Sequence, residues 1–194
     1  FDKPQLDNWA YWDIALLSNV QAEYHDNNAM FFRGDGVIGT TADERYANGS
    51  RTAKLYAQNI RDQLNKERLT NPNAKITSVA HSMGVAYSSG FLTQLLNETD
   101  ENGNPLFQES DFGDWNALAA YQAEDVRVPN VGGATNQFAA DFDPLAHQDK
   151  ISNVDNFSII DGGHGNANFA SVFNHTKANS SPPRRATIPL IFLK

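Results

Sequence analysis

The chain contains no cysteine, which excludes disulfides, zinc–thiolate sites and any reaction run by a thiol nucleophile. It has no run of about 18 apolar residues, so no segment reads as a transmembrane helix, and its first residues lack the basic-then-apolar layout of a secretion signal. Basic residues are outnumbered: 15 Lys and Arg stand against 23 Asp and Glu, a net charge of −8. That sign is wrong for gripping phosphate backbones or anionic headgroups, and nucleic acid is not an expected partner. Internal repeats, low-complexity tracts and heptads are also missing. The chain begins at Phe1, and the expectation is a soluble protein with its compartment left open, a mature form or a domain cut from a longer chain, with secretion one of the alternatives.

What is present is enough chain, 194 residues, for a single domain with one sizeable core. Residues 28–32 end in Met30, Phe31 and Phe32 and stop at Arg33-Gly34-Asp35-Gly36, a buried strand running into a turn. In residues 50–67, Ala53, Tyr56, Ala57, Ile60 and Leu64 recur at helical spacing, with Ser50 as N-cap. Residues 75–80 read as a short strand and 83–96 as a helix. A polar, acidic stretch follows at 97–114, then a short helix at 115–123. Strands are expected near 138–142 and at 157–160, and a last one at 186–193, where Pro189 argues for an edge position. Trp9, Tyr11, Trp12, Ile14, Leu16 and Leu17 predict a helix or cap packed on the body. Alternation of strand and helix predicts an α/β fold: a mostly parallel central sheet with helices on both faces.

The most informative stretch is Ile76-Thr77-Ser78-Val79-Ala80-His81-Ser82-Met83-Gly84, an apolar strand running straight into a serine and then a helix. A serine on so sharp a turn needs small residues two positions to either side, which Ala80 and Gly84 supply. Such a turn lifts the hydroxyl clear of the sheet edge. It also directs the backbone N–H of Met83 toward the place where negative charge builds on an attacked carbonyl.

A serine hydroxyl needs a base, and the base needs an acid to hold its tautomer. Downstream of Ser82 lie His147, His164 and His175. His164 is favoured because it follows an apolar strand within Asp161-Gly162-Gly163-His164-Gly165, where glycines free the backbone to turn; His147 is the reserve. For the acid, Asp141 and Asp143 both sit at the end of a strand, pointing to opposite faces if the strand runs through them.

Ala80-His81-Ser82-Met83-Gly84 resembles the nucleophile elbow of α/β-hydrolase lipases, with alanine in place of the first glycine. Asp143-Pro144-Leu145-Ala146 resembles the Asp-Pro-Val segment that carries the acid in class 3 lipases. Phe32-Arg33-Gly34-Asp35 resembles their Phe-Arg-Gly-Thr segment, with aspartate where the family has a hydroxyl residue. The resemblance spans residues 31–166 through these landmarks and the histidine loop. It implies an α/β-hydrolase fold with a small cap or lid, the triad Ser82, Asp143 and His164 with Asp141 as alternative acid, and an oxyanion hole of Met83 with Asp35 or Gly36.

The implied activity is a serine carboxylic ester hydrolase, a lipase or esterase acting through an acyl-enzyme on a small-molecule or lipid ester. It needs no cofactor and no metal. Two other readings use the same residues: an acyl transferase or thioesterase, and a non-catalytic binding domain of a larger protein. Asp100, Asn102, Asn104 and Asp111 mimic a calcium-loop spacing, but Pro105 stands where glycine is required. The aromatics Phe107, Phe112, Trp115 and Tyr121, within residues 97–125, are expected either to form the lid or to pack as core.

Overall fold

The computed structural model describes residues 13–24, 29–33, 40–146, 148–173 and 187–193. Six strands, β1 (Met30–Arg33), β2 (Lys75–His81), β3 (Phe112–Leu118), β4 (Thr135–Ala140), β5 (Asn156–Ile160) and β6 (Thr187–Leu193), form one sheet in the order β1-β6-β2-β3-β4-β5. Every pairing is parallel. The helices are α1 (Ile14–Tyr24), α2 (Ala42–Arg68) and α3 (Gly84–Asn97), and a run of 3-10 turns covers Asn166–Phe173.

Handedness explains how these segments divide between the faces. From β1 to β2 and from β2 to β3 the chain crosses the sheet in the same direction, so right-handed crossovers put α2 and α3 on one side. From β5 to β6 it steps back, and Asn166–Phe173 lies on the other side with α1, where Asn19 Nδ2 donates to the Ala170 carbonyl at 2.7 Å. Two cores result. One packs Ile60, Leu64, Phe91, Leu92 and Leu95 on Ile76, Ala80 and Trp115. The other packs Leu16, Leu17, Val20, Phe169 and Phe173 on Val79 and Leu118. Residues of β2 alternate between them, as a pleated strand requires.

The contact between α2 and α3 depends on two glycines. A Cβ on Gly49 would lie 2.0 Å from the Tyr87 carbonyl oxygen, and one on Gly90 would lie 2.0 Å from that of Tyr46. The helices therefore meet backbone to backbone. This accounts for one departure from expectation: α2 starts well before Ser50, at the N-cap Thr41, where Thr41 and Glu44 form a reciprocal capping box that contributes about 1 kcal/mol. Asn48-Gly49-Ser50 suggests a turn but continues the helix, because glycine is what the crossing with α3 demands. Ser50 instead donates to the carbonyls of Tyr46 and Gly90.

Residues 115–123 do not form the expected helix, since Trp115 to Leu118 belong to the central strand β3. Nor are the neighbouring aromatics a cover: Phe107, Phe112 and Trp115 are buried in the core, and the Trp115 indole N–H donates to Ser88 Oγ at 2.9 Å. A buried aromatic whose polar atom has a partner is stable core. The last strand is interior rather than an edge. At Pro189, however, β6 pairs only with Thr77 of β2, because the β1 ladder starts one residue later at Leu190. The proline thus has a strand on one side only.

One polar feature links four strands. Asn136 donates to Asn116 Oδ1 at 3.0 Å, Asn156 donates to Asn136 Oδ1 at 2.9 Å, and Asn116 donates to the Ser78 carbonyl of β2 at 3.0 Å. The three asparagines are in register with one another.

Candidate active site

In a parallel sheet all carboxyl ends open on one edge, where the loops after the strands meet. Ser82 stands there, immediately after β2, with φ of 55°. A non-glycine residue held so costs about 1–3 kcal/mol. The turn is braced on three sides: the Ser82 N–H donates to the Leu118 carbonyl at 2.9 Å, while its carbonyl accepts from Val85 N–H at 3.1 Å and Tyr121 N–H at 3.4 Å. Ala80 and Gly84, the small residues to either side of the turn, are both buried. Met83 has helical backbone angles at the N-cap of α3. Its N–H is therefore among those a helix cannot pair internally, at the positive end of the helix dipole.

Asp143 lies three residues beyond β4, and His164 four beyond β5. His164 Nε2 is 2.7 Å from Ser82 Oγ, and its Nδ1 is 2.7 Å from Asp143 Oδ2. A carboxylate only accepts, so Nδ1 carries the proton and Nε2 presents its lone pair to the serine O–H. The Asp143 side chain is fully buried and that of His164 is 16% exposed. Burial pushes the Asp143 carboxyl pKa up. The Ala146 N–H, the His164 imidazole and the Leu145 N–H together outweigh it and hold the group below the ordinary carboxylate value. Asp143 Oδ1 takes both backbone N–H groups at 2.9 Å, which leaves Oδ2 for the histidine.

Asp141, the alternative acid, is used elsewhere. Its Oδ1 accepts the Gly162 N–H at 2.8 Å, tying the loop after β4 to the loop after β5. Gly162 has φ of 131°, and a Cβ there would lie 2.7 Å from Asn168 Cγ, so only glycine fits. Asp35, Gly36, His147 and His175 lie outside the described residues. The strand preceding Asp35, β1, is separated from β2 by β6, two strand spacings or about 10 Å.

Two buried residues at this edge have no role assigned by the motif reading. His81, 1% exposed, donates from Nε2 to the His164 carbonyl oxygen at 2.7 Å. Arg45, also 1% exposed, reaches from α2 to Gln122 Oε1 and the Thr40 carbonyl and lies over the Tyr121 ring; burial lowers its pKa. It braces the loop whose Tyr121 N–H meets Ser82. The signal for His81 was its place at the end of a buried strand, on the face of Val79. Arg45, on the polar-looking first turns of α2, carried none.

Of the calcium-like spacing, Asp100 accepts the N–H groups of Asn102 and Asn104 within a tight turn, whereas Asp111 is paired with Arg61 and Arg68. Among the described residues, no three His, Cys, Asp or Glu side chains converge as metal ligands, and no helix is long and apolar enough to cross a membrane. No family model, curated protein or solved structure matches the chain.

Proposed function

We propose that the chain is a serine hydrolase of the α/β-hydrolase type that cleaves a carboxylic ester, as lipases and esterases do. The observation that carries this reading is the continuous relay Ser82 Oγ, His164 Nε2, His164 Nδ1, Asp143 Oδ2, with 2.7 Å at each junction between residues. The positive φ of Ser82, on a tight turn at the carboxyl edge of the sheet, supports it further.

In the reaction, His164 Nε2 takes the Ser82 proton as Oγ bonds to the acyl carbon. The carbonyl π electrons move to oxygen, and the Met83 N–H donates to that oxyanion. Asp143 stabilises the imidazolium without taking its proton. Collapse of the tetrahedral adduct breaks the bond to the alcohol, which leaves with the proton from His164. Water then attacks the acyl-enzyme, gives its proton to His164, and the acid departs as Ser82 recovers its hydrogen. Asp35 or Gly36 is the proposed second donor to the oxyanion.

A fluorophosphonate probe tests the reading. Labelling of the folded chain that vanishes in Ser82→Ala is the expected result. Folded protein that takes no label would favour a non-catalytic binding domain. p-Nitrophenyl esters of increasing acyl length then distinguish a lipase from a short-chain esterase, since a preference for long chains requires an apolar groove. Acyl transfer to an added alcohol or amine, faster than hydrolysis, would indicate a transferase.

A further inference from the structure

His81 and Ser82 are consecutive, and both bind the same residue. Ser82 Oγ meets the His164 imidazole at 2.7 Å, and His81 Nε2 meets the His164 main-chain carbonyl at 2.7 Å. From this two-point contact we infer that His81 is a positioning residue for the base, and the inference rests on the hydrolase reading above.

His164 sits in a tract that would otherwise wander, with Gly162 and Gly163 before it and Gly165 after it. Glycine gives up more conformational freedom on ordering than any other residue, so such a tract holds its shape only if something outside it does the holding. Among the described residues, the main-chain N–H groups of Phe142 and Asn168 hold the carbonyls of Gly162 and Gly165, and three side-chain bonds add to them. Asp141 takes the Gly162 N–H, Asn168 Nδ2 donates to the Gly163 carbonyl at 3.0 Å, and His81 donates to the His164 carbonyl. The first comes from the turn after β4 and the second from the tract's own continuation. Only the third comes from β2, the strand that carries the nucleophile. It therefore governs the spacing between Ser82 and His164 directly.

The chemistry of the bond constrains His81. A carbonyl only accepts, so the His81 proton must be on Nε2. The ring is buried, packs edge-on to Phe169 at 5.9 Å between centroids and lies 5.1 Å from the His164 ring. Hydrophobic packing fixes the ring, the ring fixes the carbonyl, and the carbonyl fixes where the imidazole of residue 164 can point. A displacement of about 1 Å in such geometry costs on the order of a hundredfold in rate.

The test compares His81→Phe, which keeps a ring and loses the donor, with His81→Gln, whose Nε2 reaches the same place, and His81→Asn, whose amide stops short. Fluorophosphonate labelling rates, kcat and KM for a p-nitrophenyl ester, and the far-downfield proton signal of the His164–Asp143 hydrogen bond are measured on each folded protein. His81→Phe and His81→Asn are expected to lower labelling and kcat by about ten- to a hundredfold, with KM little changed and the downfield signal broadened. His81→Gln is expected to recover most of the loss. Either of two results overturns the inference: a donor-free variant that labels at the wild-type rate, or a glutamine variant as impaired as asparagine. If His81→Phe does not fold, the glutamine–asparagine pair decides alone. If wild-type protein takes no label, the hydrolase reading fails by itself. The downfield signal still reports whether His81 holds the loop.

Discussion

Replacing Asp143 by asparagine changes one oxygen for an NH2 group and almost nothing in volume, yet the surroundings dictate which way the new amide faces. Oδ1 of Asp143 accepts the N–H groups of Leu145 and Ala146, each at 2.9 Å. Only an oxygen can stay there, so the asparagine must turn its NH2 toward His164 Nδ1. A donor at that point forces Nδ1 to accept, and the histidine proton moves to Nε2. Nε2 then donates to Ser82 instead of taking its proton, and the base is lost while the fold is kept. The expected loss in kcat is about 10³- to 10⁴-fold, or about 4–5.5 kcal/mol in the barrier. The assay is turnover of a p-nitrophenyl ester together with the second-order rate of fluorophosphonate labelling, with thermal unfolding as the control. Stability should stay within about 1 kcal/mol, because the bonds to Leu145 and Ala146 survive. Asp143→Ala, which loses those bonds as well, should be measurably less stable. A folded Asp143→Asn protein within tenfold of wild-type activity would refute the assigned roles of both Asp143 and His164.

Two further predictions concern stability. Gly90→Ala puts a methyl 2.0 Å from the Tyr46 carbonyl oxygen, and urea denaturation should show a loss of about 3 kcal/mol or more as α2 and α3 are forced apart; Gly103→Ala, with open space but φ of 80°, should lose only about 1 kcal/mol. Asp111 is buried, which raises its pKa, but the Gln108 N–H and the Arg61 and Arg68 guanidinium groups prevail and lower it. A depressed carboxyl pKa contributes stability that is present above the unfolded value, about 3.9, and is lost as pH falls through the folded one. Denaturation across pH should therefore show stability falling below about pH 4. Asp111→Asn should flatten that acid limb and lower stability at neutral pH by about 2–3 kcal/mol, less than for a fully buried pair because Arg68 is partly exposed. An acid limb unchanged by the substitution would show that the cluster is not its source.

How much of this was legible beforehand depended on whether a signal was local. The elbow was readable because strand, small flanking residues and helix are contiguous from Ile76 to Gly84. His164 was readable from the glycines around it. Asp143 was favoured over Asp141 by the Asp143-Pro144-Leu145-Ala146 resemblance alone; which partners their oxygens meet, His164 for one and the Gly162 N–H for the other, is visible only in three dimensions. Residues 107–118 misled because polar neighbours such as Asp100, Asn104 and Asp114 masked an interior strand. Tertiary packing also overrode the local cue at Gly49, which reads as a turn and is a helix crossing. The position of β6 between β1 and β2 joins segments more than a hundred residues apart, and no local pattern announces it.

The asparagines at 116, 136 and 156 act as a ruler laid across the sheet. Each amide can bond the next only if the strands are aligned to the residue, because a slip of one position shifts a strand by about 3.3 Å and turns its side chains to the opposite face. Asp143 hangs beyond the end of β4 and His164 beyond the end of β5, at fixed offsets from the second and third marks. The first mark is bonded to β2, which ends one residue before Ser82. Three groups from distant parts of the chain thus arrive at a common height because the strands beneath them are locked in step.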